Sequence, residues 1–397
     1  MNKDQLKSIA AELEPYVIEC RRTIHRFAEP NGSEIKTGNF IKEEARKLGL
    51  KIKEVEGTGF IVILDTGRPG KNIALRADMD ALPMEESEFN LKQRKVVVSE
   101  NPKGCHACGH DAHCAMLMGA MKGLAEHRDE LNGTIYFMFE QGEESDGGWR
   151  EMIEGMKEFH VDACWGIHVF NQIESGKVSI EPGPRMSGAY GIHINVIGKG
   201  GHASRPDLSN NPVFCASSIL VNTAVAWVNQ IPVGHNVTYG PTRIVSGDNA
   251  VNIIPDCAEI SGSCRTFERE IGLKAIDIMK NVAEHTAAMN GCRVEFGERM
   301  CERTIPVDND PAMTEIALEA AHEVLPEDAF ITGEKWFGGE SFSRYQRLWP
   351  GVFMFLGIKN DELGSGAEHH SKEFDVDESA LKTGVLCTMA YVNAFQK

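Results

Sequence analysis

The chain has 397 residues, of which 42% are hydrophobic and 25% are charged, and its formal net charge at pH 7 is −17. This length exceeds what one hydrophobic core usually supports, so we expect two domains, one of which can be inserted into the other. The negative charge argues against nucleic acid or an anionic membrane surface as a partner, because both require a positive footprint, whereas a small anionic substrate is compatible with local positive charge.

The first half of the chain alternates helical and strand-like patterns. Apolar residues spaced three and four apart predict helices over 5–27 and 36–50, and Gly49 is a typical C-cap for the second. The segments that follow are predicted strands at 59–66, 72–80, 133–140 and 162–169 and a predicted helix at 114–131. Such alternation indicates an α/β layer with a largely parallel sheet, in which ligands gather at the carboxyl ends of the strands.

The pattern changes near Pro184. Apolar and polar residues now alternate as in antiparallel strands with one solvated face, and two helical runs accompany them. The strands are expected at 190–200, 237–247 and 259–267, and the helices at 211–231 and 270–289. After this module, the alternation of helices and buried strands seen in the first half of the chain resumes. We therefore predict an α/β catalytic domain over 1–185 and 304–397, with a mostly parallel sheet, interrupted by an inserted α+β domain over 186–303.

The opening stretch and the cysteine content predict a cellular compartment. The opening MNKDQLKSIAAELEPYV lacks the apolar stretch of a signal peptide, and apolar runs such as GVFMFLGI are too short to span a bilayer. The 11 cysteines, an odd number, are then expected to be reduced thiols. Together these features predict a cytoplasmic protein.

Residues 105–114, CHACGHDAHC, combine three cysteines, three histidines and one aspartate. Cys108 and His110 flank a glycine that permits a sharp turn, and Cys105 completes a C-x-x-C spacing with Cys108. A structural zinc site and one corner of an active site use these residues equally well, whereas a redox pair does not need the flanking histidines. No second pair follows at C-x-x-C or H-x-x-H spacing, which argues against a self-contained zinc site.

Further metal-binding residue types follow later predicted strands. Glu143 and Glu144 come directly after the strand at 133–140, and one carboxylate could bind a metal while the other takes a proton from water. His168 ends an apolar run, and His370 lies in AEHHSKEF. Taken singly, a solvated loop explains the glutamates, a satisfied core histidine explains His168, and surface exposure explains His370.

In combination, these residues resemble the M20 metallopeptidase family, specifically the amidohydrolase branch of hippurate hydrolases, N-acyl-amino-acid amidohydrolases and auxin-conjugate hydrolases. The resemblance extends over nearly the whole chain. Its anchors are RRTIHRFAE near the start, ALRADMDALPMEE at 74–86, CHACGHDAH at 105–113, FEQGEES at 139–145, GIHV at 166–169, GKGGHASRP at 198–206, SGDNAVNIIPD at 246–256, SCRTF at 263–267 and HHSKEFDVDE at 369–378.

The resemblance implies a role for each matching residue. A pair of divalent ions, manganese, zinc, cobalt or nickel, would be held by Cys108, His110, Glu144, His168 and His370. Glu143 would be the general base and later the general acid. The inserted domain would be the lid and dimerisation domain, from which His202 reaches the partner subunit's site and steadies the oxyanion, while Asn252 and Arg265 grip the substrate. A turn histidine and a plain salt bridge are the competing interpretations of His202 and Arg265.

The chain also departs from the family pattern. The wider family has His-x-Asp where this chain has Asp78-Met79-Asp80; the branch shares this change, so Asp78 is not assigned as a ligand and Asp80 is expected to orient one. Gly339-Glu340-Ser341-Phe342 stands where Ser-Glu-Asp-Phe is frequent, which bears on specificity, and Gln141-Gly142 replaces a usual Pro-Ala. Ala28 stands where proline is common.

The sequence thus predicts a homodimeric or larger, metal-dependent amidohydrolase that cleaves N-acyl amino acids or related small amide conjugates. A dipeptidase or an N-acetyl-diaminopimelate deacetylase is the alternative enzyme. A catalytically silent metal-binding homologue is the alternative from another class, and the retained base Glu143 argues against it.

Overall fold

The computed structural model describes residues 1–145, 147–248 and 250–397, which divide by packing into two compact units. The first comprises Met1–Gly183, Asp308–Glu334 and Arg344–Lys397, and the second comprises Pro184–Val307 and Lys335–Ser343. The chain leaves the first unit and returns to it, as an inserted domain requires. The segment Lys335–Ser343 packs with the inserted unit, although the sequence pattern assigned it to the catalytic domain.

The described elements are numbered in chain order. The helices are α1 Lys3–Phe27, α2 Ile35–Lys47, α3 His110–Glu126, α4 Trp149–Met156, α5 Pro212–Gln230, α6 Arg269–Met289, α7 Pro311–Val324, α8 Phe342–Gln346 and α9 Leu381–Phe395. The strands are β1 Lys51–Glu54, β2 Phe60–Asp65, β3 Ile73–Asp78, β4 Thr134–Glu140, β5 Ala163–Glu174, β6 Val178–Ser179, β7 Gly183–Met186, β8 Gly188–Ile197, β9 Gly201–His202, β10 Val237–Ser246, β11 Ile253–Ile254, β12 Cys257–Thr266, β13 Arg293–Phe296, β14 Glu302–Thr304, β15 Val307–Asn309 and β16 Gly351–Lys359.

A mixed sheet forms the centre of the first unit. Across its described residues, the strand order is β1-β2-β4-β3-β5-β16-β6. The central strands β4, β3, β5 and β16 run parallel, and the pairings at the edges are antiparallel. The predicted α/β class is confirmed, with the parallel part confined to the centre. Because β3 and β4 are parallel neighbours, the residues that follow them meet at one edge of the sheet.

Helix α3 is central to the helical layer of the first unit. It is apolar around most of its circumference and is almost fully buried, as expected for an internal helix. Its glycines bring other helices close: a Cβ at Gly119 would lie 2.6 Å from a methyl of Val17 in α1, and one at Gly123 would lie 2.6 Å from the sulfur of Met389 in α9. This packing fixes the first turn of α3, where His110 lies.

The second unit is an antiparallel sheet with two helices. Its strands run in the order β10-β12-β8-β13, β14 also pairs with β8, and apolar residues of α5 and α6 pack on strand side chains to form a separate core. The predicted α+β module is therefore confirmed. Within the described residues, α5 is also the one helix long and apolar enough to cross a membrane, with mean hydropathy 1.3, and 28% of that stretch is buried.

Candidate metal centre

Cys108 and His110 lie on either side of Gly109, the residue before α3, and His110 is the first residue of that helix. Gly109 has φ +89°, and a Cβ at this position would lie 2.3 Å from a methyl of Val169, so the turn requires glycine. The turn leaves both neighbouring side chains buried, Cys108 at 7% and His110 at 1% exposure. The glycine in the motif therefore has a direct structural reason.

The imidazole of His110 is oriented by Asp80, which follows β3. Its Nδ1 lies 2.9 Å from the Asp80 carbonyl oxygen and 3.2 Å from Oδ1 of the same residue. With the Nδ1 proton donated to Asp80, the lone pair of His110 is on Nε2, which is buried and has no hydrogen-bond partner among the residues that the structure describes. A metal-binding histidine is typically held in this way.

The same Asp80 carboxylate fixes the turn that carries the two adjacent glutamates. Its Oδ1 and Oδ2 accept the backbone N–H groups of Glu143 and Glu144, each at 3.1 Å. The buried carboxylate of Glu34 accepts the N–H of Gly142 at 3.0 Å. Two acidic side chains thus hold consecutive backbone amides of the turn, which positions the glutamate side chains next to His110.

The remaining predicted ligands converge on Cys108 and Glu144. His168, within β5, donates from Nδ1 to the Val169 carbonyl at 2.7 Å, and its Nε2 lies 3.6 Å from the Cys108 sulfur. Nε2 of His370 lies 3.2 Å from Oε1 of Glu144. His370 has φ +63°, which is uncommon for a residue other than glycine, and its backbone N–H donates to the carbonyl of Ala107 at 2.8 Å.

These donor atoms form overlapping groups, in each of which all atoms lie within 4.8 Å of one another. The groups are Cys108–His110–His168, Cys108–Glu144–His370 and His110–Glu143–Glu144. Cys108, His110 and Glu144 each belong to two of them, so the groups join into one connected donor set, as a pair of divalent cations would require. The thiolate, imidazole and carboxylate donors, together with the unpartnered His110 Nε2, fit such a pair of ions.

The ionisation of the donors supports the same interpretation. Burial and the nearby Glu144 raise the pKa of the Cys108 thiol well above its usual value. Burial opposes protonation of His110, but the Asp78 carboxylate and Cys108 raise its pKa well above the usual range. A divalent cation binds the thiolate form of cysteine and the neutral form of histidine, so metal binding at these donors is expected to release protons.

His113 and Asp78 also lie beside His110 and could form a further donor group. Nε2 of His113 accepts the N–H of Val169 at 3.0 Å, so its Nδ1 carries the proton that it shares with Oδ1 of Asp78 at 2.7 Å. Oδ2 of Asp78 pairs with Arg76 at 2.8 Å. Both residues are thus already engaged, and we assign them to holding β3, α3 and β5 together. The sequence signal for them was an arginine and an aspartate in an otherwise apolar strand, which require buried partners.

The other predicted residues lie in the second unit. His202 in β9 is exposed, and its Nδ1 accepts from Oγ of Ser204 at 2.8 Å and from the N–H of Ser204 at 3.1 Å. The carbonyl of Asn252 accepts the N–H of Ala203 at 3.0 Å, so Asn252 and His202 are neighbours. Within the described residues, the guanidinium of Arg265 in β12 has no ion-pair partner, and burial lowers its pKa.

Comparison with known proteins identifies the family. Residues 74–394 match peptidase family M20/M25/M40. The chain belongs to this family. It is 34% identical to thermostable carboxypeptidase 1 of Saccharolobus solfataricus over 96% of both chains. It is 33% identical to IAA-amino acid hydrolase ILR1-like 4 of Arabidopsis thaliana over 93% of this chain and 83% of the relative.

A solved structure supports the same assignment. The Bacillus subtilis YXEP protein, described as a dinuclear metal-binding peptidase of the M20 family, has a TM-score of 0.80 and 29% identity, and the match covers 96% of this chain and 98% of that one. The predicted resemblance to the amidohydrolase branch is confirmed. The protein is a metal-dependent amidohydrolase, and it binds divalent metal.

The shared position of Cys108 leads to a first prediction. Cys108→Ala should lower the divalent metal content, measured by elemental analysis, by about one ion or more per subunit, because two donor groups lose a ligand. Cys105→Ala is the matched control: Cys105 is also buried in the same motif but belongs to none of the donor groups found among the described residues. Equal metal content in both variants would contradict the assignment of Cys108 as a ligand.

Proposed function

We propose that this amidohydrolase cleaves the amide bond between an acyl group and the amino group of an amino acid, using a pair of divalent cations. The observation that carries the substrate assignment is Arg265. A partly buried guanidinium without a counter-anion is unfavourable, and a substrate carboxylate can pair with it through two parallel hydrogen bonds. Asn252 is proposed as a second contact to the substrate.

The ligands proposed for the cations are Cys108, His110, Glu144, His168 and His370. When bound there, divalent cations polarise an amide carbonyl and lower the pKa of water. Thiolate and imidazole suit zinc, and carboxylates also suit manganese, cobalt or nickel, so the donor set accepts any of the four.

Glu143 is proposed to move the proton. Its backbone N–H donates to Asp80 at 3.1 Å, and its carboxylate belongs to a donor group with His110 and Glu144. Glu143 takes the proton of the attacking water as the new C–O bond forms. It then delivers that proton to the amide nitrogen as the C–N bond breaks, so that one group serves as base and acid.

His202 is proposed to stabilise the oxyanion. Because its Nδ1 accepts the N–H of Ser204, a neutral ring carries its proton on Nε2, at the exposed end of the side chain. An Nε2–H donor can bind the negative oxygen that develops on the amide carbonyl. The family resemblance assigns this donor to the active site of the partner subunit.

If two copies of the chain associate through their second units, His202 of one copy can reach the other copy. One face of α5 exposes large apolar side chains at Phe214, Val221, Val225 and Val228. Their spacing places them on one side of the helix, and an exposed apolar face of this kind is typical of a subunit interface. A second copy of the chain is the partner we propose for it.

Mixed dimers test the action of His202 across subunits. His202→Ala and Glu143→Ala chains should each be inactive alone, and mixing them should restore up to about one quarter of the wild-type activity, because half of randomly mixed chains form heterodimers with one complete site of two. Activity is measured after native mass spectrometry has verified heterodimers. Verified heterodimers without activity would place His202 in its own subunit's site or outside catalysis.

A hydrolysis screen tests the substrate class. The metal-reconstituted protein is assayed with N-acyl amino acids, with the same compounds as carboxamides, and with dipeptides. We expect N-acyl amino acids to be cleaved, their carboxamides to be cleaved much more slowly, and Arg265→Met to remove this preference. Faster cleavage of dipeptides would favour a dipeptidase or a carboxypeptidase, and cleavage confined to N-acetyl-diaminopimelate would favour that deacetylase. Failure with every substrate would favour a silent metal-binding homologue.

A further inference from the structure

The motif RRTIHR at 21–26 has no part in the proposed chemistry, yet three of its side chains enter a network of charged groups. Arg21 and His25 are each 1% exposed, which is unusual for charged residues, and both lie on the inner side of α1. Charged groups at such depth require partners. Their partners come from the chain segments that surround the proposed metal centre.

His25 joins two carboxylates. Its Nδ1 lies 2.7 Å from Oδ2 of Asp111, and its Nε2 lies 2.9 Å from Oε1 of Glu86. Asp111 follows His110 directly in α3 and is also 2.7 Å from Nε of Arg21. The network is therefore attached at one end to Asp111, the residue that follows the proposed ligand His110.

Lys95 extends the network to the segment that carries His370. Its ammonium group is fully buried and lies 2.7 Å from Oε1 of Glu86. The same group donates to the carbonyl of Lys372 at 3.0 Å, and the N–H of Ser87 donates to that carbonyl at 3.0 Å as well. The backbone two residues beyond His370 is thus held from inside the protein.

Two arginines of the motif hold the far end of the same segment. Nη1 of Arg21 lies 3.3 Å from Oε1 of Glu378, and its Nη2 lies 3.6 Å from Asp375. Arg22 makes a bidentate pair with Glu378, at 3.0 Å from Nε and 2.6 Å from Nη2. Bidentate pairs of this type also fix orientation.

His370 itself needs such support. Its side chain is 52% exposed, so packing around the ring does not hold it, and its backbone has the left-handed φ of +63°. We propose that Arg21, Arg22, His25, Glu86 and Lys95 form an electrostatic clamp that sets the position of His370 relative to His110. Lys95 and Arg22 are then positioning residues for metal binding, an inference that rests on the proposed ligand role of His370.

Lys95→Met tests the clamp, because methionine keeps much of the volume and removes the donor to Lys372. In the full-length protein titrated with Co²⁺, we expect the affinity of the more weakly held ion to fall about 10-fold, the lower end of what loss of an orienting group costs. The visible absorption spectrum of bound Co²⁺ should change with it, and Lys95→Arg should restore part of the affinity. Lys92→Met, at an exposed lysine in the same loop, should bind as wild type does.

A variant in the hydrophobic core distinguishes loss of the clamp from a general loss of stability. Val324→Ala, in the buried core of the same unit, should lower the melting temperature but leave Co²⁺ affinity unchanged. If Lys95→Met does not fold, Arg22→Gln replaces it, since Arg22 is partly exposed, and a smaller loss of affinity is expected. Wild-type Co²⁺ affinity in a folded Lys95→Met or Arg22→Gln protein would overturn the clamp. Absence of Co²⁺ binding by the wild type would instead overturn the proposed metal centre.

Discussion

Replacing Glu143 with alanine should lower kcat for N-acyl amino acid hydrolysis by about 10²–10⁴-fold, the range expected when a general base is lost. The metal content should stay at the wild-type level, because Glu143 is not among the five proposed ligands and each of the three donor groups keeps at least two of them without it. The turn should also keep its shape, since Asp80 accepts from the backbone of residue 143 and not from its side chain. Steady-state kinetics and elemental analysis on the same sample measure both quantities.

The neighbouring residue supplies the matched comparison. Glu144→Ala should lose metal as well as activity, because its Oε1 is 3.2 Å from Nε2 of His370 and it completes a donor group with Cys108. Glu154→Ala, at an exposed glutamate in α4, should change neither quantity. A Glu143→Ala enzyme with wild-type kcat would refute the assigned base, and one that loses metal would make Glu143 a ligand.

The sequence predicts the parts of the site that depend on local spacing. Cys108 and His110 were found because two donors flank a glycine, and the structure explains that glycine by its φ of +89°. Glu144, His168 and His370 lie far along the chain, and each alone had an ordinary structural explanation. Their convergence depends on how strands and loops pack in three dimensions, so only the family resemblance connected them in advance.

The buried polar groups show where prediction from sequence stops. Asp78, His113 and Lys95 were not assigned a contact, because a pattern can show that a charge is flanked by apolar residues but not which partner neutralises it. Helices and strands were predicted well, since their periodicity is local. The segment 335–343 has no such periodicity, and its packing with the inserted unit follows from tertiary contacts alone.

Arg21→Met should destabilise the first unit by about 3–5 kcal/mol, the cost of breaking a buried ion pair by removing one partner. Asp111 is fully buried, and Arg21 lies 2.7 Å from it. Without the guanidinium, that carboxylate keeps the ion pair with His25, whose Nδ1 lies 2.7 Å from its Oδ2. Urea unfolding followed by tryptophan fluorescence measures the loss. Arg26→Met on the same helix is the control, because Arg26 is partly exposed and pairs with Glu19 at 3.5 Å, so about 1 kcal/mol or less is expected.

The pH dependence of the Arg21→Met effect identifies Asp111 as the group responsible. Burial would raise the pKa of Asp111, but Arg21 and His25 lower it below its usual 3.8. A carboxyl group whose pKa is lowered by folding contributes stability above its usual pKa and loses it as the pH falls through the folded value. The pKa of Asp111 in the unfolded chain is the same in both proteins, so the difference in free energy of unfolding between wild type and Arg21→Met depends on the folded-state pKa of Asp111 alone. Loss of the guanidinium raises that pKa in Arg21→Met, and the difference should therefore shrink as the pH falls through the raised value. Arg21→Met combined with Asp111→Asn should cost less than the sum of the single variants. A difference no larger than that of Arg26→Met, or strict additivity with Asp111→Asn, would show that this ion pair does not stabilise the fold.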